Sequence, residues 1–435
     1  MRFKIFFTII FLNLILTQSF LNRAIGEELT YGSVKSFAMG STHATNGDNS
    51  SLLRFNPSLL GTTLIENPSF IDFQINLNSN SERRSILVKD YFGDFLTYAD
   101  YVNNVNTYNY FQGGFISNVN DFIAVGLSYL PLASFNYDYI EEVRGSTDVE
   151  DGDVGLKDPL EGYHQFHSSG NLNTISFGFS FSNKTGRMKN INLGVGFNQT
   201  LNMSIKDEYR VDTLSTDFEN LSLANNYFED ESLETLGNFF SFGASYLQKD
   251  LLFALNIEGD LLIQTEDFNS YNFIDSLGII SYLDSTNTNY IVQGINYYKP
   301  IQYHFGVSYN PNDNSDLTIS SEIQYNQFDF PSITYFKDSY IYKFGFEYIL
   351  PSEIPIRAGL IYKQSPMTIL PDQSIITWGS GGSYGQFAYD FSCSYTFFDY
   401  YYPTLFVVTD EEYNNFDQII DSNFSFILGI KYFLK

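Results

Sequence analysis

Apolar and polar side chains alternate through most of this chain, and that pattern leaves few folds open to it. Ile175, Phe177, Phe179 and Phe181 alternate with Thr174, Ser176, Gly178, Ser180 and Ser182. Ile191, Leu193, Val195 and Phe197 alternate with Asn192, Gly194, Gly196 and Asn198. The pattern returns at Ile301–Tyr309 and at Gln386–Phe397. A period of two puts successive side chains on opposite faces of a β-strand, so each segment has one apolar and one polar face. No stretch beyond the N-terminus has the ~20 apolar residues of a membrane-spanning helix.

Two all-β architectures answer this pattern. A secreted sandwich buries its apolar faces between two sheets. A transmembrane antiparallel β-barrel turns them outward to lipid and keeps a polar lumen. Three features favour the barrel. The strand run continues with no linker or composition break. The polar faces are small (Gly, Ser, Thr, Asn), which suits a crowded or wet lumen. Tyr and Phe fall near strand ends, where interfacial girdles belong. Tight turns are expected at Asn183–Asn190, Gln248–Asp250, Pro311–Ser315 and Pro351–Pro355. Ile140–Gly170, Lys206–Leu236 and Glu266–Lys299 read as long acidic loops, with clusters at Asp148–Asp153 and Phe228–Glu234. Short turns at one end and long loops at the other fit an outer-membrane barrel of about 14 strands. Pro68–Ser79 is expected as the first strand and Ser422–Leu434 as the last. A closed barrel pairs its first strand with its last, because lipid tolerates no open edge. Arg83–Asn104 has a mixed period and reads equally as a short amphipathic helix or a strand.

Composition narrows the function. The formal net charge is -27, from 23 Lys and Arg against 50 Asp and Glu. A chain this acidic does not bind nucleic acid through phosphates, which requires neutralising cations. The 43 Phe and 34 Tyr exclude a disordered chain. A single cysteine, Cys393, excludes an internal disulfide. Arg2 and Lys4, the apolar run Ile5–Leu16 and the small residues around Ala24–Gly26 read as a signal peptide over 1–26. An uncleaved anchor is the alternative, and the run is short for one.

Between that signal and the first strand lies Tyr31–Gly61, too rich in Gly, Ser and Asn for a strand. Met39 and Gly40 sit in a small-residue run, Asp48 follows, and Asn56-Pro57-Ser58-Leu59-Leu60 closes the segment. This pattern resembles the N-terminal hatch of outer-membrane transporters of the FadL family of long-chain fatty acid channels. Asn118–Arg144 and Arg357–Pro366, the latter followed by Leu370-Pro371-Asp372, resemble a hairpin and a late strand-and-turn of the same family. The resemblance implies a hatch over 27–66 inside a barrel over 67–435, in the outer membrane of a diderm bacterium. It further implies passive uptake of hydrophobic compounds such as long-chain fatty acids, gated by the hatch. Met39, Gly40, Asp48, Asn56 and Pro57 match the hatch pattern, and they either fold the plug or contact ligand. Pro131 falls where the family often bends a strand. It either kinks the wall, because proline removes a ladder donor, or merely ends a strand. Other members of the family resemble PorV, a partner for secreted proteins, so a secretion-partner or structural role is the alternative. Expected partners are hydrophobic small molecules, outer-membrane lipids and, on the alternative reading, secreted or envelope proteins.

No catalytic constellation stands out, and no cofactor is expected. His164 and His167 have a spacing that metal sites use, but two histidines without a helix or cysteine are a poor ligand set. They read as residues of a solvated loop. His304 falls on the polar side of its strand. Asp148, Glu150, Asp151 and Asp153 faintly resemble a calcium loop but lack its spacing and closing Glu.

Overall fold

The computed structural model describes residues 26–62, 69–89, 92–144, 159–183, 190–201, 204–214, 227–233, 236–264, 296–311, 316–329, 336–368, 370–403 and 416–434. The signal-peptide run before Gly26, the Asp148–Asp153 cluster, most of Glu266–Lys299 and the interiors of two expected turns, 184–189 and 312–315, lie outside them.

In chain order the strands are β1 (Glu27–Glu28), β2 (Ser69–Lys89), β3 (Phe95–Asn118), β4 (Ile123–Ser134), β5 (Tyr137–Arg144), β6 (Leu160–Ser169) and β7 (Asn171–Asn183). There follow β8 (Ile191–Thr200), β9 (Ser204–Thr213), β10 (Tyr227–Leu233), β11 (Asn238–Gln248), β12 (Leu251–Glu258), β13 (Leu261–Gln264) and β14 (Asn296–Lys299). The last are β15 (Ile301–Tyr309), β16 (Leu317–Gln327), β17 (Ser339–Ile349), β18 (Pro355–Lys363), β19 (Gln373–Tyr384), β20 (Phe387–Pro403) and β21 (Phe416–Leu434). Fourteen of them close an antiparallel barrel in the order β2-β3-β4-β7-β8-β11-β12-β15-β16-β17-β18-β19-β20-β21. β2 then pairs with β21 from Ser69↔Leu434 to Ser85↔Gln418, so the first barrel strand meets the last.

The barrel is inside-out compared with a sandwich. Phe305 is 51% exposed on the outer face while its neighbour His304 is 2% exposed inside. Phe177 and Phe179 face out, and Ser176 and Ser180 are buried toward the lumen. The apolar faces therefore meet lipid and the small polar faces meet the interior, as in membrane barrels. Tyrosines cluster at the long-loop ends, where Tyr303, Tyr325, Tyr340, Tyr342 and Tyr362 form a run of ring contacts. At the other end Phe387 packs on Tyr432.

Gln248–Asp250 and Pro351–Pro355 are tight turns, as their residues require. The long connections differ from expectation. Ile140–Gly170 contains the end of β5 and all of β6, and Lys206–Leu236 contains most of β9 and all of β10. These four strands form a separate sheet, β10-β9-β6-β5, and β13 pairs with β14. Each continues a barrel strand beyond a short break, as β4 does through Phe135 and Asn136 into β5. Their alternation is masked in the sequence by acidic residues; in β5, Tyr137, Tyr139, Glu141 and Val143 are buried on one face while Glu142 points outward. Arg83–Asn104 also resolves as strand: β2 runs to Lys89 and β3 starts at Phe95. With 24 residues, β3 is more than twice the ~10 residues needed to cross a membrane, so its outer half stands above it.

The segment after β1 lies inside the barrel and is helical in short pieces: α1 (Val34–Ala38), α2 (His43–Asn46), α3 (Leu52–Phe55) and a 3-10 turn at Pro57–Leu59. Ser33 caps α1 by accepting from the Ser36 N–H at 3.2 Å, and Asn56 caps the 3-10 turn by accepting from Ser58 at 3.2 Å. Between α1 and α2 the chain reverses through Gly40 at φ 68 and Ser41 at φ 56, the left-handed region that glycine occupies freely.

Candidate functional site

The plug presses backbone against wall. Gly345 on β17 and Gly359 on β18 leave room for the Met39–Gly40 backbone, and a Cβ at either glycine would collide with it. The Gly40 N–H donates to Thr377 Oγ1 at 3.0 Å, and that hydroxyl donates to the Ala38 carbonyl at 2.9 Å. Pro57 and Asn56 meet the wall at Gly194 on β8 and Gly243 on β11. The Asn56 amide donates to the Ala44 carbonyl at 2.7 Å, tying α2 to the closing turn. Asp48 forms an ion pair with Lys431 on β21. Lys35 reaches Glu347 at 2.8 Å, and Glu347 also holds Arg357 at 2.6 Å.

A buried ionic core fixes the N-terminal arm. Arg54 Nε donates to Glu258 Oε2 at 3.0 Å, Nη1 donates to the Leu29 carbonyl at 3.3 Å, and Nη2 pairs with Glu28. Lys299 lies 3.3 Å from the same Glu258 oxygen, and Gln302 donates to Glu28 at 2.8 Å. Lys343 and His304 converge on Glu322 Oε1 at 2.7 and 3.0 Å. Glu322 Oε2 also accepts from the Ala44 N–H at 2.9 Å, so the cluster reaches α2. His43 lies between plug and arm. Its Nε2–H donates to the Thr30 carbonyl at 3.0 Å, which leaves Nδ1 to accept from the Ser36 hydroxyl at 2.7 Å. Burial, followed by the nearby Lys343 charge, pushes the His43 pKa down to about 3 although Glu322 opposes the shift. The ring is therefore neutral, which the Nδ1 acceptor role requires.

Above the plug, on the long-loop side, lies a cavity of ≈ 280 Å³. Leu29, Tyr31 and Phe37 form its floor, and Ile341, Ile361 and Ile375 are part of its wall. Phe328, Phe336, Met367 and Leu370 close it from the loops. Its polar lining includes Gln324, Lys343 and Lys363. Lys343 is neutralised by Glu322, whereas Lys363 makes no ion pair among the described residues. None of Met39, Gly40, Asp48, Asn56, Pro57 and Pro131 borders this cavity.

The wall has a seam beside the arm. β3 pairs with β4 only from Asn118↔Ala124 to Gly113↔Tyr129. Pro131 follows two residues later, where the β4–β7 ladder slips register between Pro131 and Ala133. Beyond that point β1 takes the vacated edge of β4, with Glu27↔Ser134 and Glu28↔Ala133. Side chains of β3 span the rest. Asn106 donates to the Asp138 carbonyl at 2.8 Å, Tyr108 to the Asp138 carboxylate at 2.8 Å, and Tyr110 to Ser134 Oγ at 2.9 Å.

His164 and His167 are placed by a strand, which corrects the loop expectation. Residues three apart on a strand face opposite ways. His164 is buried with Nδ1 2.6 Å from Glu141, and His167 is exposed beside Asp138. The two do not converge. His304 faces the interior, as its position in the alternation requires.

Sequence reasoning missed the arm at Gly26–Tyr31, the Arg54 core and the cavity lysines. The signal present was charge at inward positions: Glu258, Glu322, Lys343 and Arg357 interrupt otherwise small polar faces.

No protein-family model and no curated protein matches the chain by sequence. Solved structures do match by shape. A crystal structure of a FadL homologue from Pseudomonas aeruginosa aligns with TM-score 0.57 and 13% identity, over 94% of this chain and 100% of that one. The toluene transporter TodX of P. putida aligns with TM-score 0.52 and 13% identity, over 93% and 98%. CymD, a monoaromatic hydrocarbon channel, aligns with TM-score 0.50 and 11% identity, over 93% and 98%. Barrel order, inside plug and near-complete overlap in both directions together show that this chain has the FadL-type fold.

Proposed function

We propose that the protein is a channel of the outer membrane of a diderm bacterium for passive uptake of hydrophobic compounds, gated by the plug over 27–66. The observation that carries this reading is the cavity above the plug, apolar on its floor and much of its wall. A cavity of about 150 Å³ lined by aliphatic residues holds benzene. At ≈ 280 Å³ this one has room for a compact aromatic compound whole, or for part of a long acyl chain. The neighbours described as a toluene transporter and a monoaromatic hydrocarbon channel support the compact ligand. Lys363 supports the long-chain fatty acid expected from the sequence, since an unpaired cation on an apolar wall suits a carboxylate.

Met39, Gly40, Asp48, Asn56 and Pro57 act in this reading as the braces of the gate. Pro131 marks the place where ligand leaves sideways, because wall pairing there rests on side chains and on the two-residue β1. The test is equilibrium binding of labelled toluene and labelled palmitate to the mature chain in mild detergent, with Ile361→Trp as the cavity-filling variant. Saturable binding of either ligand, weakened at least tenfold by Ile361→Trp, is the expected result. Absence of binding to a heat-modifiable barrel overturns the reading and favours the secretion-partner role.

A further inference from the structure

The outer wall carries a groove that the transport reading does not use. It has a volume of ≈ 530 Å³ and is lined by residues of four adjacent strands, β7, β8, β11 and β12. Its walls come in two cross-strand rows. Phe181, Leu193, Ala244 and Leu255 form the lower row, and Phe179, Val195, Phe242 and Ile257 the upper. The groove exists because Ala244 and Val195 are small where their flanking residues are Phe and Leu. On the inner side of the same patch, Gly194 and Gly243 abut the plug. No larger side chain could stiffen this wall from within, and the depression faces lipid.

A second observation concerns charge. Six short connections join barrel strands at this end: β3–β4, β7–β8, β11–β12, β15–β16, β17–β18 and β19–β20. In a chain of net charge -27, Lys and Arg occur in only two of them. The β11–β12 turn carries Lys249, and the sequence joining β7 to β8 carries Lys184, Arg187 and Lys189. The β11–β12 turn stands at the foot of two of the four strands that line the groove. Asp121, Asp313 with Asp316, and Glu353 sit in three of the other four, and Asp250 follows Lys249 in its own turn. Lys249 is exposed and makes no ion pair among the described residues.

Depth fits as well. Lys249 follows Ala244 by five residues along the strand, roughly 16 Å at about 3.3 Å per residue. One leaflet of the hydrocarbon core is about 15 Å deep, half of ~30 Å. Short connections mark the periplasmic side of such barrels. A phosphate beside Lys249 would therefore place its acyl chain across Ala244 and Val195.

We propose that this groove, with Lys249 at its foot, binds one acyl chain of an anionic phospholipid of the periplasmic leaflet. The site is separate from the lumen and does not depend on what the channel carries. Loss of an anionic contact at a membrane surface weakens binding about fivefold per Lys.

The test is native mass spectrometry of the mature full chain in mild detergent, titrated with dioleoyl phosphatidylglycerol or with dioleoyl phosphatidylcholine. The expected result is one retained phosphatidylglycerol per chain, held more tightly than phosphatidylcholine. Ala244→Phe should weaken both lipids at least tenfold by filling the groove. Lys249→Gln should weaken phosphatidylglycerol about fivefold and leave phosphatidylcholine unchanged. Each variant is checked for heat-modifiable mobility, and Val195→Phe fills the groove from the next strand if Ala244→Phe fails that check. Equal retention of the two lipids that neither substitution changes overturns the proposal. A dimer that Ala244→Phe dissociates overturns it too, since a second copy would then cover the groove.

Discussion

At the scale of single residues, the plug is held by charges with no water to fall back on. Arg54 is fully buried and satisfies both Glu258 and Glu28. Arg54→Ala leaves Glu258 to Lys299 and Glu28 to Gln302, and breaking a buried pair from one side costs about 3–5 kcal/mol. The expected outcome is release of the Gly26–Tyr31 arm, read as new protease cleavage there with the barrel still heat-modifiable; an arm as protected as in the parent contradicts it. His43 adds a pH dependence. Its pKa of about 3 in the docked plug lies below the ordinary 6.5, so an undocked plug takes up a proton that the docked one refuses. Docking is therefore strongest above about pH 6.5 and weakens as pH falls toward 3, by up to about 3 kcal/mol at pH 4. Lys343, Glu322 and His304 face the same ring and set the background. Hydrogen exchange over 33–45 should accelerate between pH 7 and pH 4 after correction for intrinsic rates. His43→Gln should flatten that trend, and an unchanged trend would refute the assignment to His43. None of this was legible in the sequence. An Arg in a Gly/Ser/Asn-rich segment looks like a surface residue until the wall supplies Glu258, more than two hundred positions away.

At the scale of elements, the strands were legible and their reach was not. Alternation is a local signal, and lipid outside with a small polar interior preserves it, so Asn171–Asn183 and Ile301–Tyr309 matched their elements closely. The signal fails where polar residues take both faces of a strand, as Glu141 and Glu142 do in β5 and Arg83 and Arg84 in β2. That is why β5, β6, β9 and β10 read as loops and why Arg83–Asn104 was ambiguous. The plug was legible as a non-strand segment from its composition, but its fit to the wall depends on glycines spaced hundreds of residues away. Gly345→Val tests that fit. Overpacking of this kind costs about 1–3 kcal/mol. Because the colliding atoms belong to the Met39 backbone, the plug and not the barrel should yield. Faster hydrogen exchange in α1 with unchanged heat-modifiability is the expected result; a lower unfolding temperature with an unchanged plug would contradict it. The seam beside Pro131 belongs to this scale as well. A disulfide joining Asn106→Cys to Asp138→Cys would lock β3 to β5, and it should slow ligand release without abolishing binding.

At the scale of the whole molecule, ring closure and plugging are one design. Fourteen strands enclose a lumen wide enough to need filling, and the 26–62 segment fills its middle while leaving a cavity toward the long-loop side. The central claim is that this cavity, floored by the plug, receives a hydrophobic compound. The most direct measurement compares equilibrium binding of labelled palmitate and labelled toluene in the mature chain and in a variant lacking Tyr31–Gly61. Both proteins must be heat-modifiable barrels in the same detergent. Saturable binding of at least one ligand by the full chain, lost or weakened at least tenfold when the floor at Tyr31 and Phe37 is removed, is the predicted result. Binding that is absent from the full chain, or identical in the two proteins, would contradict the claim.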